Sequence, residues 1–121
     1  MQNISHLSPI MAVSKMEPSL KFYNTIGFKT EFLWQDPPSY AVLSAGENAG
    51  IHLSLLDPAH KGKPPRGIVY IFVHDVDKLY QECLDKGIKI KVAIGDRDYR
   101  MRDFEVEDPD GNLLTLGKGL D

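Results

Sequence analysis

The sequence predicts an α+β domain built from two tandem βαβββ modules, and three observations predict this fold class. A strand, turn and strand pattern closes the chain over residues 102–117, and a fainter copy of it occupies residues 40–56. Each half also holds one amphipathic helical pattern that ends at a glycine, Gly27 or Gly87. These two glycines are sixty residues apart, so the chain is predicted to contain two copies of one unit.

The first module is predicted to cover about residues 7–56. Ser14 followed three residues later by Glu17 has the spacing of a capping box, which predicts that a helix begins there. Side chains alternate in the strand after the helix, and one face of it is predicted to carry Phe28, Thr30, Phe32 and Trp34. In order, we expect a strand over 8–13, a helix to Ile26, and strands over 28–34, 40–45 and 51–56.

Residues 57–67 are predicted to be a linker between the modules, because they hold three prolines and two glycines without apolar periodicity. The second module is predicted to cover about residues 68–117. Asp75 is a plausible N-cap for its helix, and Gly111 in its last turn is matched with Gly50 in the first module. In order, we expect a strand over 68–73, a helix to Gly87, and strands over 88–94, 100–107 and 112–117.

Size indicates that the two modules form a single domain over residues 1–121. Each module is too small to bury its apolar face alone, so the sheets are predicted to form one curved mixed sheet with the helices outside. The concave side of such a sheet is the natural place for a ligand.

Composition excludes several classes of protein. A net charge of −3 without a basic stripe argues against nucleic acid as a partner. No apolar run approaches the roughly 18 residues that span a bilayer, and the N-terminus lacks a signal-peptide core, so we expect no membrane partner and a cytoplasmic location. The one cysteine, Cys83, lies in the helical stripe of the second module and is interpreted as a packing residue.

Three motifs follow one another along the chain: PSLKFYNTIGF over residues 18–28, VYIFVHDVD over 69–77 and DPDGNLL over 108–114. Together they resemble the vicinal oxygen chelate superfamily, which includes glyoxalase I, extradiol dioxygenases, and fosfomycin and bleomycin resistance proteins. The segments RDF at 102–104 and NLLTLG at 112–117 look most like the bleomycin resistance branch. This resemblance implies the tandem βαβββ fold and a homodimer.

Enzymes of this superfamily hold a divalent metal with His, Glu or Gln on the first and fourth strands of each module. Carried over to this chain, the four positions hold Ser8, Ser54, Ile68 and Thr115. Isoleucine cannot coordinate a metal, and catalytic divalent ions need imidazole or carboxylate donors. The resemblance therefore implies the fold of a metalloenzyme without its metal centre, and no cofactor is predicted.

His52 keeps an alternative open. It lies on a strand expected to face the cleft, whereas the other three histidines do not have the spacing of a ligand pair. Its first interpretation is a polar residue that hydrogen-bonds a neighbour. The alternative is a divalent metal displaced to His52 in a glyoxalase-type lyase or isomerase.

Alternation along the strands predicts a largely apolar and aromatic ligand-binding surface with a few hydroxyl groups. Arg102 is added to this surface as a possible rim residue, with a solvated strand edge as the other interpretation. The predicted ligand-binding residues are Trp34, Tyr40, His52, Ser54, Tyr70, Phe72, Arg102 and Thr115.

The resemblance to bleomycin resistance proteins, together with this aromatic surface, favours a metal-free protein that sequesters an aromatic or glycopeptide-type small molecule. The resemblance alone implies that the groove belongs to a homodimer, with both chains contributing to each groove. The second hypothesis is the metal-dependent enzyme just described. A third is a regulatory or scaffolding module whose groove binds another protein. Because a binder of a cationic drug is expected to be strongly acidic, the mild charge leaves the identity of the ligand open.

Overall fold

The computed structural model describes residues 2–121 and divides the chain into two compact units, the first ending at Gly67 and the second covering Ile68–Asp121. Each unit contains one helix and a four-stranded mixed sheet, which confirms the α+β class and the tandem βαβββ modules. No helix among residues 2–121 is both long and apolar enough to cross a membrane. The elements are β1 (Ile10–Val13), α1 (Met16–Ile26), β2 (Lys29–Trp34), β3 (Tyr40–Ala45), β4 (Ala49–Leu55), β5 (Ile68–Phe72), α2 (Val76–Asp85), β6 (Ile90–Asp96), β7 (Met101–Glu107) and β8 (Leu113–Gly119).

The first sheet has the strand order β1-β4-β3-β2, in which β1 and β4 run parallel and the other pairs antiparallel. Helix α1 covers one face of this sheet and ends at Gly27, whose φ of 128° suits a residue without a side chain. The helix begins at Met16, and the side chain of its N-cap, Lys15, makes no capping hydrogen bond within residues 2–121. The N-cap therefore lies one residue after the predicted Ser14. Buried on this face are Met11, Val13, Phe22, Tyr23, Ile26, Ala41, Leu43, Ile51 and Leu53.

A β-bulge at Glu31 makes the predicted alternation of β2 wrong. Thr30 pairs with Leu43, which faces the core, whereas Phe32 pairs with Val42, which faces away from it. The side chains of Thr30 and Phe32 therefore lie on opposite faces of the sheet. The side chain of Asn24 on α1 donates to Thr30 Oγ1 at 3.2 Å, which places Thr30 on the helix side. Phe28, which is buried, and Thr30 therefore do not share a face with Phe32 and Trp34.

The second sheet repeats this topology with the order β5-β8-β7-β6, and β5 and β8 run parallel. Asp75 is the N-cap of α2, as predicted, because its carboxylate accepts a hydrogen bond from the Lys78 amide at 3.1 Å. Tyr80 of α2 contacts Phe104 of β7 edge to face, with ring centroids 5.0 Å apart. The core side of this sheet is filled by Phe104, Val106, Leu114 and Leu116, all fully buried.

The turn between β7 and β8 depends on Asp108, which is buried. Its carboxylate accepts hydrogen bonds from the amides of Asp110 and Asn112 and from the Asn112 side chain, each at 2.8 Å. Gly111 occupies the left-handed region with φ 88°. In the first sheet, the corresponding turn uses Gly46 with φ 59°, whereas Gly50 lies inside β4. The predicted match of Gly50 with Gly111 is therefore wrong.

Candidate functional site

Each sheet has one face covered by its helix and an opposite face, which we call the open face. On the first sheet, strand pairing arranges the open face in two rows across β2, β3, β4 and β1. One row is Phe32, Val42, His52 and Ile10, and the other is Trp34, Tyr40, Ser54 and Ala12. Four of the predicted site residues, Trp34, Tyr40, His52 and Ser54, thus share this surface.

This open face is apolar and exposed. Phe32 and Trp34 each keep 54% of their surface accessible, and Ile10 keeps 59%. Large apolar side chains normally lose most of this exposure in a packed domain, and exposed apolar surfaces of this kind often mark binding sites. The first open face therefore offers flat aromatic rings to a ligand.

The principal polar group in these rows is a histidine–tyrosine pair. Tyr40 Oη lies 2.7 Å from His52 Nδ1, and the two rings meet edge to face with centroids 5.5 Å apart. This geometry agrees with the first interpretation of His52 as a polar residue that hydrogen-bonds a neighbour. Among residues 2–121, His52 Nε2 makes no hydrogen bond, so that nitrogen is available for a polar group of a ligand.

On the second sheet, the open face carries Tyr70, Phe72 and Thr115 from the predicted site. Tyr70 pairs with Thr115 and Phe72 with Gly117. The rings of Tyr70 and Phe72 are tilted against each other, with centroids 5.0 Å apart. Phe72 is 76% exposed, so this face also offers an aromatic surface.

A buried carboxylate, Asp103, organises the second open face. Its side chain accepts hydrogen bonds from Tyr99 Oη at 2.7 Å, Arg97 Nε at 2.8 Å and Tyr70 Oη at 3.0 Å. Arg97 also donates to the carbonyl oxygens of Ala93 and Asp103, at 2.7 and 2.9 Å. Asp103 thereby fixes two tyrosine rings and the loop between β6 and β7.

The protonation of this cluster follows from its contacts. Burial alone would raise the pKa of Asp103, but the hydrogen bonds from Arg97, Tyr99 and Tyr70 outweigh burial and hold it below its ordinary value. Burial and the hydrogen bond to Asp103 raise the pKa of Tyr70 far above its ordinary value. The hydrogen bond to the same carboxylate, followed by burial, raises the pKa of Tyr99. At neutral pH the cluster therefore contains an ionised carboxylate and two neutral phenols, which suits positioning more than proton transfer.

Gly117 makes room for this arrangement. A Cβ at this residue would overlap the hydroxyl of Tyr70 and lie 2.8 Å from Asp103 Cβ. Tyr70 therefore crosses β8 above Gly117 to reach Asp103 on β7. Sequence reasoning did not identify Asp103 or Gly117 as site residues, although alternation with buried Phe104 places Asp103 on the open face.

Arg102 does not lie with the other predicted site residues, which corrects its assignment to the rim of the groove. Its guanidinium donates to Asp77 at 2.8 Å and to Asp96 at 3.0 Å, and Asp77 lies in the first turn of α2. Since Asp103 points to the open face, its neighbour Arg102 points to the helix side. Arg102 lines a surface pocket of about 440 Å³ beside α2 together with His74, Asp75, Lys118 and Leu120.

Strand pairing revises one of the positions that correspond to metal ligands. Helices α1 and α2 begin sixty residues apart, so Ile10 on β1 corresponds to Tyr70 on β5. Ile10 pairs with His52, and Tyr70 pairs with Thr115, so His52 rather than Ser54 is the counterpart of Thr115. Their strand partners Val42 and Glu105 are also sixty-three residues apart, so the extra residues of the second unit lie between its helix and this hairpin.

The residues at these positions do not fit a catalytic divalent metal. In the first unit, His52 is accompanied by Ser8, whose hydroxyl lies 2.5 Å from where a Cβ on Gly50 would be. In the second unit, Ile68 offers no donor atom and Thr115 only a hydroxyl. Within residues 2–121, no three His, Cys, Asp or Glu side chains cluster in a way that could hold a metal ion.

Comparison with known proteins agrees with this fold. The family model described as the Glyoxalase/Bleomycin resistance protein/Dioxygenase superfamily matches residues 3–116. Among solved structures, TioX from Micromonospora sp. ML1 superposes with a TM-score of 0.83 at 19% identity, covering 96% of this chain and 99% of TioX. A search of curated proteins gave no significant match.

Two further structures give the same result. A member of the superfamily from Sphaerobacter thermophilus DSM 20745 has a TM-score of 0.76 at 25% identity, with 95% of this chain and 98% of that chain covered. A glyoxalase/bleomycin resistance protein/dioxygenase from Alicyclobacillus acidocaldarius has a TM-score of 0.73 at 21% identity, with 98% and 92% covered. With the family model spanning both units, the chain belongs to the glyoxalase/bleomycin resistance protein/dioxygenase superfamily.

Proposed function

We propose that this chain is a metal-free binding protein that holds a flat aromatic small molecule, with glycopeptide-type antibiotics among the candidates, and does not transform it. The observation that carries the proposal is the exposure of aromatic rings on the open faces. Phe32 and Trp34 on the first sheet and Phe72 on the second each keep more than half of their surface accessible. Flat rings supply contact area and stacking at small entropic cost, which favours a planar ligand.

Polar groups beside these rings can orient the ligand. His52 Nε2 lies in a row with apolar Phe32, Val42 and Ile10, and Thr115 provides a hydroxyl on the second sheet. A few polar groups within an apolar surface are typical of small-molecule sites. Binding of this kind acts by mass action, because a bound molecule is withdrawn from its target and no bond is made or broken.

The donor chemistry supports binding over catalysis. Ser8, Ile68 and Thr115 occupy three positions where metalloenzymes of this superfamily hold ligands, and none offers an imidazole or a carboxylate. The proposal includes a homodimer whose grooves are built from both chains. The family resemblance supports this state, and sedimentation velocity would test it, with a single species of monomer mass as the contradicting result.

Trp34 provides a direct test, because it is the only tryptophan in the chain. We expect acridone, a neutral planar tricycle, to quench Trp34 emission saturably. Phe32→Ala should weaken this binding by roughly tenfold through the loss of about 1.4 kcal/mol of ring contact. Leu84→Ala is the matched control, since Leu84 is an exposed apolar residue of α2.

Calorimetric titration with metal-free and copper-bound bleomycin tests the drug assignment separately. Heat of binding at a protein concentration of tens of micromolar supports it, and no heat removes bleomycin as the ligand. Absence of binding by acridone and by both forms of bleomycin would overturn the proposal as a whole.

The alternative function is the metal-dependent lyase or isomerase, and one observation favours it: His52 occupies the counterpart of the Thr115 position and leaves Nε2 available. Elemental analysis of protein purified without chelator distinguishes the two. Stoichiometric zinc, nickel or manganese that is lost in His52→Ala would support the enzyme and contradict metal-free binding.

A further inference from the structure

Three carboxylates lie on the open face of the second sheet, Asp103, Glu105 and Glu107, because they alternate along β7 with buried Phe104 and Val106. Two of them have cationic partners. Asp103 pairs with Arg97 at 2.8 Å, and Glu107 lies 3.4 Å from Lys89 and 3.8 Å from Lys91.

Glu105 differs from both neighbours. Among residues 2–121 it makes no hydrogen bond and no ion pair, although it is only partly exposed. Its cross-strand partners are Thr115 on one side and Val92 on the other, neither of which carries charge. The negative charge of Glu105 therefore faces the open surface without compensation.

An aromatic ring lies beside this charge. Tyr70 reaches from β5 across Gly117 to hydrogen-bond Asp103, two residues from Glu105 on the same face of β7. Residues two apart on a strand are separated by about 7 Å, so the ring approaches within reach of a group bound at Glu105. Because Asp103 fixes the Tyr70 hydroxyl, the orientation of this ring is set before a ligand arrives.

A carboxylate next to an aromatic face is the combination that recognises an organic cation, through an ion pair on one side and a cation–π contact on the other. One carboxylate and one threonine hydroxyl give too few oxygen ligands for calcium or magnesium. We propose that Glu105, Thr115 and the ring of Tyr70 form a subsite for an ammonium, guanidinium or protonated ring nitrogen carried by the aromatic ligand. This inference rests on the proposed function and narrows its ligand class to cationic aromatic molecules.

Two tricyclic probes of similar shape test the subsite. 9-Aminoacridine is cationic at neutral pH, and acridone is neutral. Fluorescence anisotropy should show that the protein binds 9-aminoacridine roughly tenfold more tightly than acridone at low ionic strength. This preference should shrink in 0.5 M NaCl, where salt screens exposed charges over about 4 Å.

Two variants test whether the preference for 9-aminoacridine depends on Glu105. Glu105→Gln keeps the shape of the side chain, and should reduce the preference for the cation to less than twofold while leaving the affinity for acridone unchanged. Glu47→Gln makes the same change of charge at an exposed turn residue that has no partner within residues 2–121, and it should keep the preference. In a ¹H–¹⁵N spectrum, the amides of Glu105 and Thr115 should shift with 9-aminoacridine.

Each outcome decides between the two proposals. Equal binding of both probes, or an undiminished preference in Glu105→Gln, overturns the cation subsite while the aromatic binding function stands. Failure of both probes to bind contradicts the subsite, and failure of both forms of bleomycin as well contradicts the function.

Discussion

Replacing Gly117 with alanine tests the arrangement of Tyr70 and Asp103 on which the second open face depends. The added methyl group would overlap the Tyr70 hydroxyl and lie 2.9 Å from its Cζ atom and 2.8 Å from Asp103 Cβ. The tyrosine ring is rigid and Asp103 is held by its strand, so neither can move slightly to make room. We expect Tyr70 to leave Asp103.

The cost follows from the contacts that are lost. A hydrogen bond to an ionised carboxylate contributes about 1.5–3 kcal/mol, and the overlap with Asp103 Cβ adds about 1 kcal/mol of overpacking. Gly117→Ala should therefore lower the free energy of unfolding by about 3 kcal/mol. The methyl group of Gly119→Ala on the same strand meets no atom of the described residues within 4 Å, and this variant should change stability by less than about 0.5 kcal/mol.

Urea denaturation followed by circular dichroism measures both variants. Tyr70→Phe removes the atom nearest to the new methyl group, so it should cost less in the Gly117→Ala background than in the wild type. The coupling energy of this double-mutant cycle should exceed about 1 kcal/mol. Equal stability of Gly117→Ala and Gly119→Ala would refute the described path of Tyr70 across β8.

Three further predictions concern other parts of the second unit. Asp103→Asn should lower the free energy of unfolding by about 2 kcal/mol at pH 7. Because the folded pKa of Asp103 is depressed, the stabilisation from its carboxylate is present above the unfolded pKa near 4 and is lost as pH falls through the folded pKa. The urea midpoints of the variant and the wild type should therefore converge as pH falls towards 3. Burial, with a smaller effect of the Glu82 charge, raises the pKa of Cys83 to about 11. Ellman's reagent should therefore modify this thiol slowly at pH 8 in the native protein and fully in urea. Fast reaction of the native protein would contradict the buried position of Cys83. Arg102→Gln should change the affinity for acridone by less than twofold, because its guanidinium pairs with Asp77 and Asp96. A tenfold loss of affinity would show that Arg102 contacts the ligand.

Local patterns in the sequence predicted most of the fold. Gly27 ends α1, Asp75 caps α2, and alternation placed Tyr70 and Phe72 on the open face, because each of these features depends on residues near in sequence. The N-cap of α1 was predicted one residue too early, at Ser14 rather than Lys15.

Features that depend on one inserted residue or on distant contacts were not predicted. The bulge at Glu31 reverses the faces of β2 after Thr30, and the sequence carries no glycine or other marker for it. The bond between Tyr70 and Asp103 joins residues 33 positions apart, so no local pattern reports it. The match between His52 and Thr115 became visible only from strand pairing, because the second unit has additional residues between its helix and its closing hairpin.

Arg102 is a different case, since parity with Phe104 already placed it on the helix side. Arg102 was predicted to be a rim residue from its position at the start of the closing hairpin, without regard to the direction of its side chain. Alternation along β7 also identifies Glu105 as an open-face residue. The alternation of side chains along β7 therefore assigns Arg102 to the helix side and Glu105 to the open face.

The most direct test of metal-free binding is a titration of the chelator-treated protein with acridone, monitored by Trp34 emission and repeated after addition of zinc, nickel or manganese. We predict saturable quenching with the same dissociation constant before and after metal is added. Binding that appears only with a metal ion, or no quenching under any condition, would contradict the central claim.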